Sequence, residues 1–172
     1  MVNFQKEHYS YEDMLAIMRI LRAPGGCPWD AEQTHESIRR NFLEETCEAV
    51  EAIDNHDMPA LREELGDVLM QVIFHAQMEA EVGGFTMRDV IDGLCRKLVY
   101  RHPHVFSDVK VANSDEVLTN WEALKRQEKA QRSTADAIDA VAKTLPALWR
   151  AEKMESKAAK AGFAWPEGSD GA

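Results

Sequence analysis

The chain has 172 residues, of which 45% are hydrophobic and 29% charged, enough for one domain with its own core or a smaller core completed by a partner subunit. Thirty acidic against 20 basic residues give a net charge of -10, a field that opposes nonspecific contact with the nucleic-acid backbone. No segment approaches the roughly 20 apolar residues of a membrane span, and "MVNFQKEHYS" lacks the apolar core of a signal peptide, so no membrane or nucleic-acid partner and a cytoplasmic location are expected.

Cys27, Cys47 and Cys95 form no CxxC pair, which points to reduced thiols and away from a cysteine-based zinc site. Strand signals are nearly absent, whereas helix punctuation recurs. Ser10 with Asp13 reads as a capping box opening a first helix to about Arg22, which "APGG" stops. "APGGCPWDAEQT" follows as a rigid turn-rich loop, with Trp29 read as its anchor on the bundle ahead of the alternative, direct contact with a base. Thr34 can cap a second helix to about Asn55, and Asp57 followed by Pro59 a third to about Val82, ended by Gly83-Gly84.

Thr86 with Asp89 opens a fourth helix, which should stop before "RHPHVF" because the residue preceding Pro103 disfavours helical backbone. There His102 and His104 read as a capped helix end with one packed histidine. A fifth helix runs from about Ser114 to Gln131. Residues 135–161 are helical again, with Pro146 as a break or first-turn residue, and 162–172 form a flexible tail. The expectation is an all-α domain over residues 1–161, a multi-helix bundle with a four-helix core.

The third helix carries an apolar face of Leu61, Leu65, Val68, Leu69, Val72 and Ala76, with Met70 and Phe74 on its far side. A helix apolar on two sides in so short a chain calls for cover from another subunit, most simply in a homodimer or a higher homo-oligomer.

Between those sectors Glu64, Asp67, Gln71 and His75 form a narrow polar stripe. On the second helix the apolar arc is Ile38, Phe42, Ala49, Val50 and Ile53, with Glu45 at its margin and Glu48 a turn further. The short link "NHDMP" makes the two helices antiparallel, bringing Glu45 and Glu48 opposite Glu64 and Asp67. Two carboxylates about 4 Å apart repel by roughly 4 kcal/mol at an effective dielectric near 20. A hard divalent cation removes that cost, and an all-oxygen set favours Mg²⁺ or Mn²⁺. "EETCE" or "ELGD" alone reads as a solvated face; the argument lies in their joint occurrence beside apolar faces. Glu51 reads as ordinary solvated charge.

"GGCPWDAEQTHESIRRNFLEETCEAVEAI", "LREELGDVLMQVIFHAQM", "KLVYRHPHVF" and "NWEALKRQEK" together resemble the MazG nucleoside triphosphate pyrophosphohydrolases, in that family's order and from about Tyr11 to Trp165. The resemblance implies an all-α fold shared with the dimeric dUTPases. It implies Mg²⁺-dependent hydrolysis of a nucleoside triphosphate to monophosphate and pyrophosphate, and is compatible with nucleotide-pool house-cleaning, the role expected here, and with control of an alarmone pool. By position, Glu45, Glu48, Glu64 and Asp67 are implied metal ligands, and Glu44 or Glu45 the group that activates water. Lys97, Arg101 and Lys125 resemble phosphate-contacting positions and Trp121 a base- or ribose-contacting one, although without the family Lys97 and Arg101 read as surface charges. Arg62, one turn before the stripe, is read as either a phosphate contact or an intrahelical ion pair.

One position departs from the pattern. Asn41 stands one turn before the glutamate pair, where active copies of the domain often carry lysine, so its substrate contact is that of an amide. This keeps open a catalytically weak, nucleotide-binding regulatory module. A carboxylate-bridged di-iron bundle is set aside, because the only Glu-x-x-His match, Glu32 to His35, lies at a loop and helix start.

Overall fold

The structure is a computed structural model that describes residues 5–128 and 133–164. Among the described residues its only regular secondary structure is helix, with no strand. The last residues expected of the fifth helix, 129–131, and the tail from 165 onward lie outside the described residues. Two compact units divide the chain, Met1–Leu94 and Cys95–Ala172.

In the first unit α1 (Tyr11–Arg22) opens on the expected capping box: Ser10 Oγ accepts from the Asp13 N–H, and the Asp13 carboxylate accepts from the Ser10 N–H. α1 packs on α4 (Met58–Glu81), and α4 packs along α3 (Arg39–Asp54). The α3–α4 link is three residues long. His56 makes the bend with φ of 55°, and the Asp57 carboxylate caps α4 by accepting from the Ala60 N–H at 3.0 Å. So short a link leaves α3 and α4 antiparallel, as expected. Met18, Ile38, Ile73, Phe74 and Met78 are buried where α1, the start of α3 and the C-terminal half of α4 meet.

Three expectations are corrected here. The second helix of the sequence reading begins at Arg39, not beside Thr34. Thr34 instead exchanges hydrogen bonds with Ser37, and the Ser37 hydroxyl donates to Gln33 Oε1 at 2.7 Å, so local side-chain bonds take the place of helical ones. The loop between α1 and α3 contains a helical turn, α2 (Pro28–Glu32), started by Pro28 with its preset φ. Nor is Trp29 an anchor, for it is 58% exposed. The fastening is done from below by Arg22, whose side chain donates to the carbonyls of Asp30 and Gln33 and to the Glu81 carboxylate at 2.9 Å. Gly26 completes it, because a Cβ there would sit 2.2 Å from the Ile20 carbonyl oxygen.

The apolar sectors of α4 divide by height rather than by side. Gln71, Ile73, Phe74, Ala76 and Met78 are buried in its C-terminal half, whereas Leu65 and Leu69 are exposed, as are Leu43, Val50 and Ile53 of α3. α1 packs against the C-terminal half of α4, whereas on the earlier turns, beside α3, Leu65 and Leu69 stay exposed among the described residues.

α5 (Met87–Arg101) starts with Thr86 and Asp89 exchanging hydrogen bonds, as read from the sequence. In the second unit α6 (Pro103–Phe106) is a single turn begun by Pro103, and one ring nitrogen of His102 is spent on the Leu98 carbonyl at 2.7 Å, the contact of a helix end. α7 (Ser114–Glu128) follows. α8 (Thr134–Asp139), with its own Ser133–Asp136 capping box, packs on α9 (Ala147–Ala159), and Pro146 is the residue that caps α9.

Candidate metal and nucleotide site

One helical turn separates Glu45 from Glu48 on α3, and Glu64 stands on the facing stretch of α4. Each of the three offers an oxygen, and these oxygens lie within 4.8 Å of one another. Among the described residues this is the only such group of three. Glu45 and Glu64 are half-buried and Glu48 is exposed. Burial pushes the Glu45 carboxyl above the ordinary range, and the charges of Asp67, Glu48, Glu64 and Glu44 push it the same way. Glu64 is raised likewise, by desolvation first and then by Glu48, Asp67 and Glu63. Asp67, one turn along α4, thus adds its field to both without joining the close trio. An all-oxygen set strained by its own repulsion fits a hard divalent cation and suits no soft metal.

The remaining first-unit residues are more dispersed. Glu44 is exposed and its carboxylate accepts from Arg40 Nε at 2.9 Å, on the outer side of α3. Asn41 is half-buried one turn before Glu45, and Arg62 and Glu51 are exposed.

Further up the α4 stripe, Gln71 is buried with its Oε1 unpartnered. His75 lies edge to edge with His35, their Nδ1 atoms 2.7 Å apart, and rests against Phe42, and the other ring nitrogen of His35 meets Glu79 at 2.9 Å. His75 belongs to the expected stripe; His35 was not legible as its partner, because a turn residue 40 positions away leaves no periodic signal.

In the second unit Arg101, Trp121 and Lys125 come together. The guanidinium of Arg101 lies 5.3 Å from the Trp121 ring centroid and the Lys125 ammonium 4.6 Å from it. Arg101 is 7% exposed and donates to the Glu128 carboxylate at 2.7 Å, so it is no surface charge, whereas Lys97 one turn earlier is half-buried. The sequence reading passed over Lys153, Lys157 and Lys160 of the last helical segment, which border a cavity shared with Trp121 and Lys125. Their i, i+4, i+7 spacing was the available signal, but it is equally that of a solvated face.

Residues 33–106 match the model of the MazG nucleotide pyrophosphohydrolase domain. Over 148 residues the chain is 50% identical to the uncharacterized protein YabN of Bacillus subtilis, covering 86% of this chain and 30% of that protein. It is 48% identical over 153 residues to the nucleoside triphosphate pyrophosphohydrolase of Escherichia coli K12, covering 88% and 58%. To the nucleoside triphosphate pyrophosphohydrolase/pyrophosphatase MazG of Thermotoga maritima it is 44% identical over 160 residues, covering 92% and 61%. The crystal structure of a mazG-related protein from Thermotoga maritima is similar in fold, with a TM-score of 0.56 and 28% identity over 67% of this chain and 98% of that one. The chain therefore spans between 30% and 61% of the length of these curated relatives.

Proposed function

The chain belongs to the MazG family by the pyrophosphohydrolase domain it carries at residues 33–106, and from that premise we propose that it hydrolyses nucleoside triphosphates to monophosphate and pyrophosphate. The observation that carries the proposal is the convergence of Glu45, Glu48 and Glu64 oxygens within 4.8 Å on two consecutive helices. These three and Asp67 would hold Mg²⁺, with Mn²⁺ as a substitute. When bound, such an ion supplies neutralisation of phosphate oxygens and a water that loses its proton near neutral pH.

The chain's own residues supply the rest. Glu45, by its place in the cluster, takes the proton of the attacking water. Glu44 is the alternative base, but its carboxylate is occupied by Arg40. Arg101, held by Glu128, and Lys125 present charge beside Trp121 for phosphate oxygens, and the indole offers a flat wall to a base or ribose. Lys97, Arg62 and Asn41 complete the proposed substrate contacts. House-cleaning of the nucleotide pool in the cytoplasm is the role proposed. A homodimer covering Leu65 and Leu69 is the proposed assembly, supported by their exposure.

A second reading, a nucleotide-binding module with little turnover, is favoured by one residue only, Asn41. The experiment is a panel of standard, deoxy and damaged nucleoside triphosphates incubated with the protein and Mg²⁺, with monophosphate and pyrophosphate both measured. Pyrophosphate release that disappears in Glu48→Gln and Glu64→Gln is expected. Retained turnover in those variants refutes the assigned site, and nucleotide binding without any monophosphate gives the second reading the field.

A further inference from the structure

In the second unit a cavity of about 190 Å³ lies between α7, α8 and α9, lined by Trp121, Glu122, Lys125, Lys153, Lys157 and Lys160, with Ala137 and Ser156 between them. Four lysines face one glutamate there, on a chain whose net charge is -10. Glu122 is engaged by the Lys160 ammonium. Among the described residues no carboxylate pairs with Lys153 or Lys157, although Lys157 is half-buried and the two stand at i, i+4, a like-charge spacing that disfavours the helix. Opposite them Lys125 rests on the face of Trp121. Lys153 and Lys157, bordering a concavity with no carboxylate paired to them among the described residues, offer charge to an anion there.

We propose that this cavity is a phosphate-binding pocket, in which Lys153 and Lys157 of α9 join Lys125 in holding the phosphoanhydride of the nucleotide. The inference rests on the reading of the chain as a nucleoside triphosphate pyrophosphohydrolase and adds α9 to its binding residues. The size of the cavity chooses the part that binds. Pockets for drug-sized ligands run to roughly 300–1,000 Å³, so this one takes a phosphate-bearing portion and not a whole nucleoside triphosphate. Its chemistry agrees: ammonium groups and the Ser156 hydroxyl donate hydrogen bonds to phosphate oxygens.

The test uses the whole chain, wild type and Lys153→Gln/Lys157→Gln, with Lys110→Gln/Lys143→Gln as a control of equal charge change away from the cavity. Binding of inorganic pyrophosphate and of a non-hydrolysable triphosphate analogue is measured by calorimetry, after circular dichroism has verified folding. The α9 variant is expected to bind pyrophosphate more weakly by about tenfold per lysine removed, with affinity falling as salt rises, and the control to stay within about twofold. Equal loss for pyrophosphate and analogue assigns the pocket to the substrate's own phosphates; loss for pyrophosphate alone leaves a site for the free anion and overturns its role in holding the nucleotide. No pyrophosphate binding by the wild type, an unchanged affinity in the α9 variant, or an equal loss in the control overturns it. Lysine-dependent binding in a protein that cleaves no triphosphate would keep the pocket and remove the proposed function. Turnover with an unaltered pyrophosphate affinity would do the reverse.

Discussion

The imidazoles of His35 and His75 lie nearly parallel, 4° apart in plane, with their Nδ1 atoms 2.7 Å from each other. Two N–H groups cannot point at one another across that distance. One arrangement of neutral rings satisfies every contact: His75 Nδ1–H donates to His35 Nδ1, and His35 Nε2–H donates to Glu79. Burial, and then the neighbouring His35 charge, hold the His75 pKa below the ordinary histidine value. The unfolded chain therefore takes up protons more readily than the folded one. The contribution of His75 to stability is fully present above about pH 6.5 and is lost as the pH falls below it. Urea unfolding from pH 8 to pH 5.5 should show this decline, and His75→Gln should flatten it.

The carboxylate cluster has the opposite sign. Folded Glu45 and Glu64 hold protons more tightly than unfolded ones, so their contribution is present below about pH 4.3 and is lost as the pH rises through their raised folded values. Near neutral pH with a chelator, Glu45→Gln/Glu64→Gln should melt above the wild type. Mg²⁺ should reverse the order, since a ligand a hundredfold above its Kd stabilises by about 2.7 kcal/mol and the variant has lost its ligands. Thermal melts with and without Mg²⁺ check both halves.

Glu44 and Glu45 are adjacent in sequence but face different surroundings, and their variants should differ accordingly. Glu45→Gln is expected to lower kcat by at least about a hundredfold, the usual weight of a positioned general base. Glu44→Gln, which breaks only an exposed pair with Arg40, should stay within about threefold. Steady-state rates under saturating triphosphate distinguish them.

The exposed leucines predict an assembly. With Leu65 and Leu69 on α4 and Leu43 on α3 all more than 40% exposed, light scattering after gel filtration should give twice the chain mass. Leu69→Glu should bring the mass to that of one chain, because a charge in the middle of an apolar contact is costly to desolvate. A wild-type protein that is monomeric at all concentrations refutes the assembly.

Arg22 is the most connected side chain in the first unit. Burial alone would raise its partner Glu81, but the hydrogen bonds from Arg22 and Gln77, with the Arg22 charge, outweigh that and leave the carboxyl lowered. Arg22→Met should destabilise the protein by roughly 2–3 kcal/mol in urea, and the loss should shrink below the pH at which Glu81 protonates.

What could be read beforehand was what depends on neighbours in sequence. Ser10 with Asp13 and Thr86 with Asp89 each place a helix start through bonds spanning three residues, Asp57 does so by accepting from the Ala60 N–H with Pro59 in the first turn, and each opens a helix here. The approach of Glu45 to Glu64 was also legible, because two amphipathic helices joined by three residues can hardly pack otherwise. The late start of α3 was not, since Thr34 and Ser37 satisfy each other and a cap-like residue does not reveal that it is already bonded. Burial of Arg101 escaped as well, because it depends on Trp121 and Glu128, 20 and 27 positions away. The bundle on α4 was read as evenly two-sided because periodicity describes faces and cannot say how far along a helix its neighbour extends.

The fastening of the α1–α3 loop separates two duties that one side chain often combines. Arg22 grips backbone carbonyls and an acid of α4, so the loop is seated by atoms that every amino acid at positions 30 and 33 would provide. Trp29, which the loop displays rather than leans on, is thereby relieved of structural duty. Its identity can drift, or be replaced by a reporter group, while the scaffold beneath stays put, and an altered ligand preference at that position could be interpreted without first asking whether the protein had come apart.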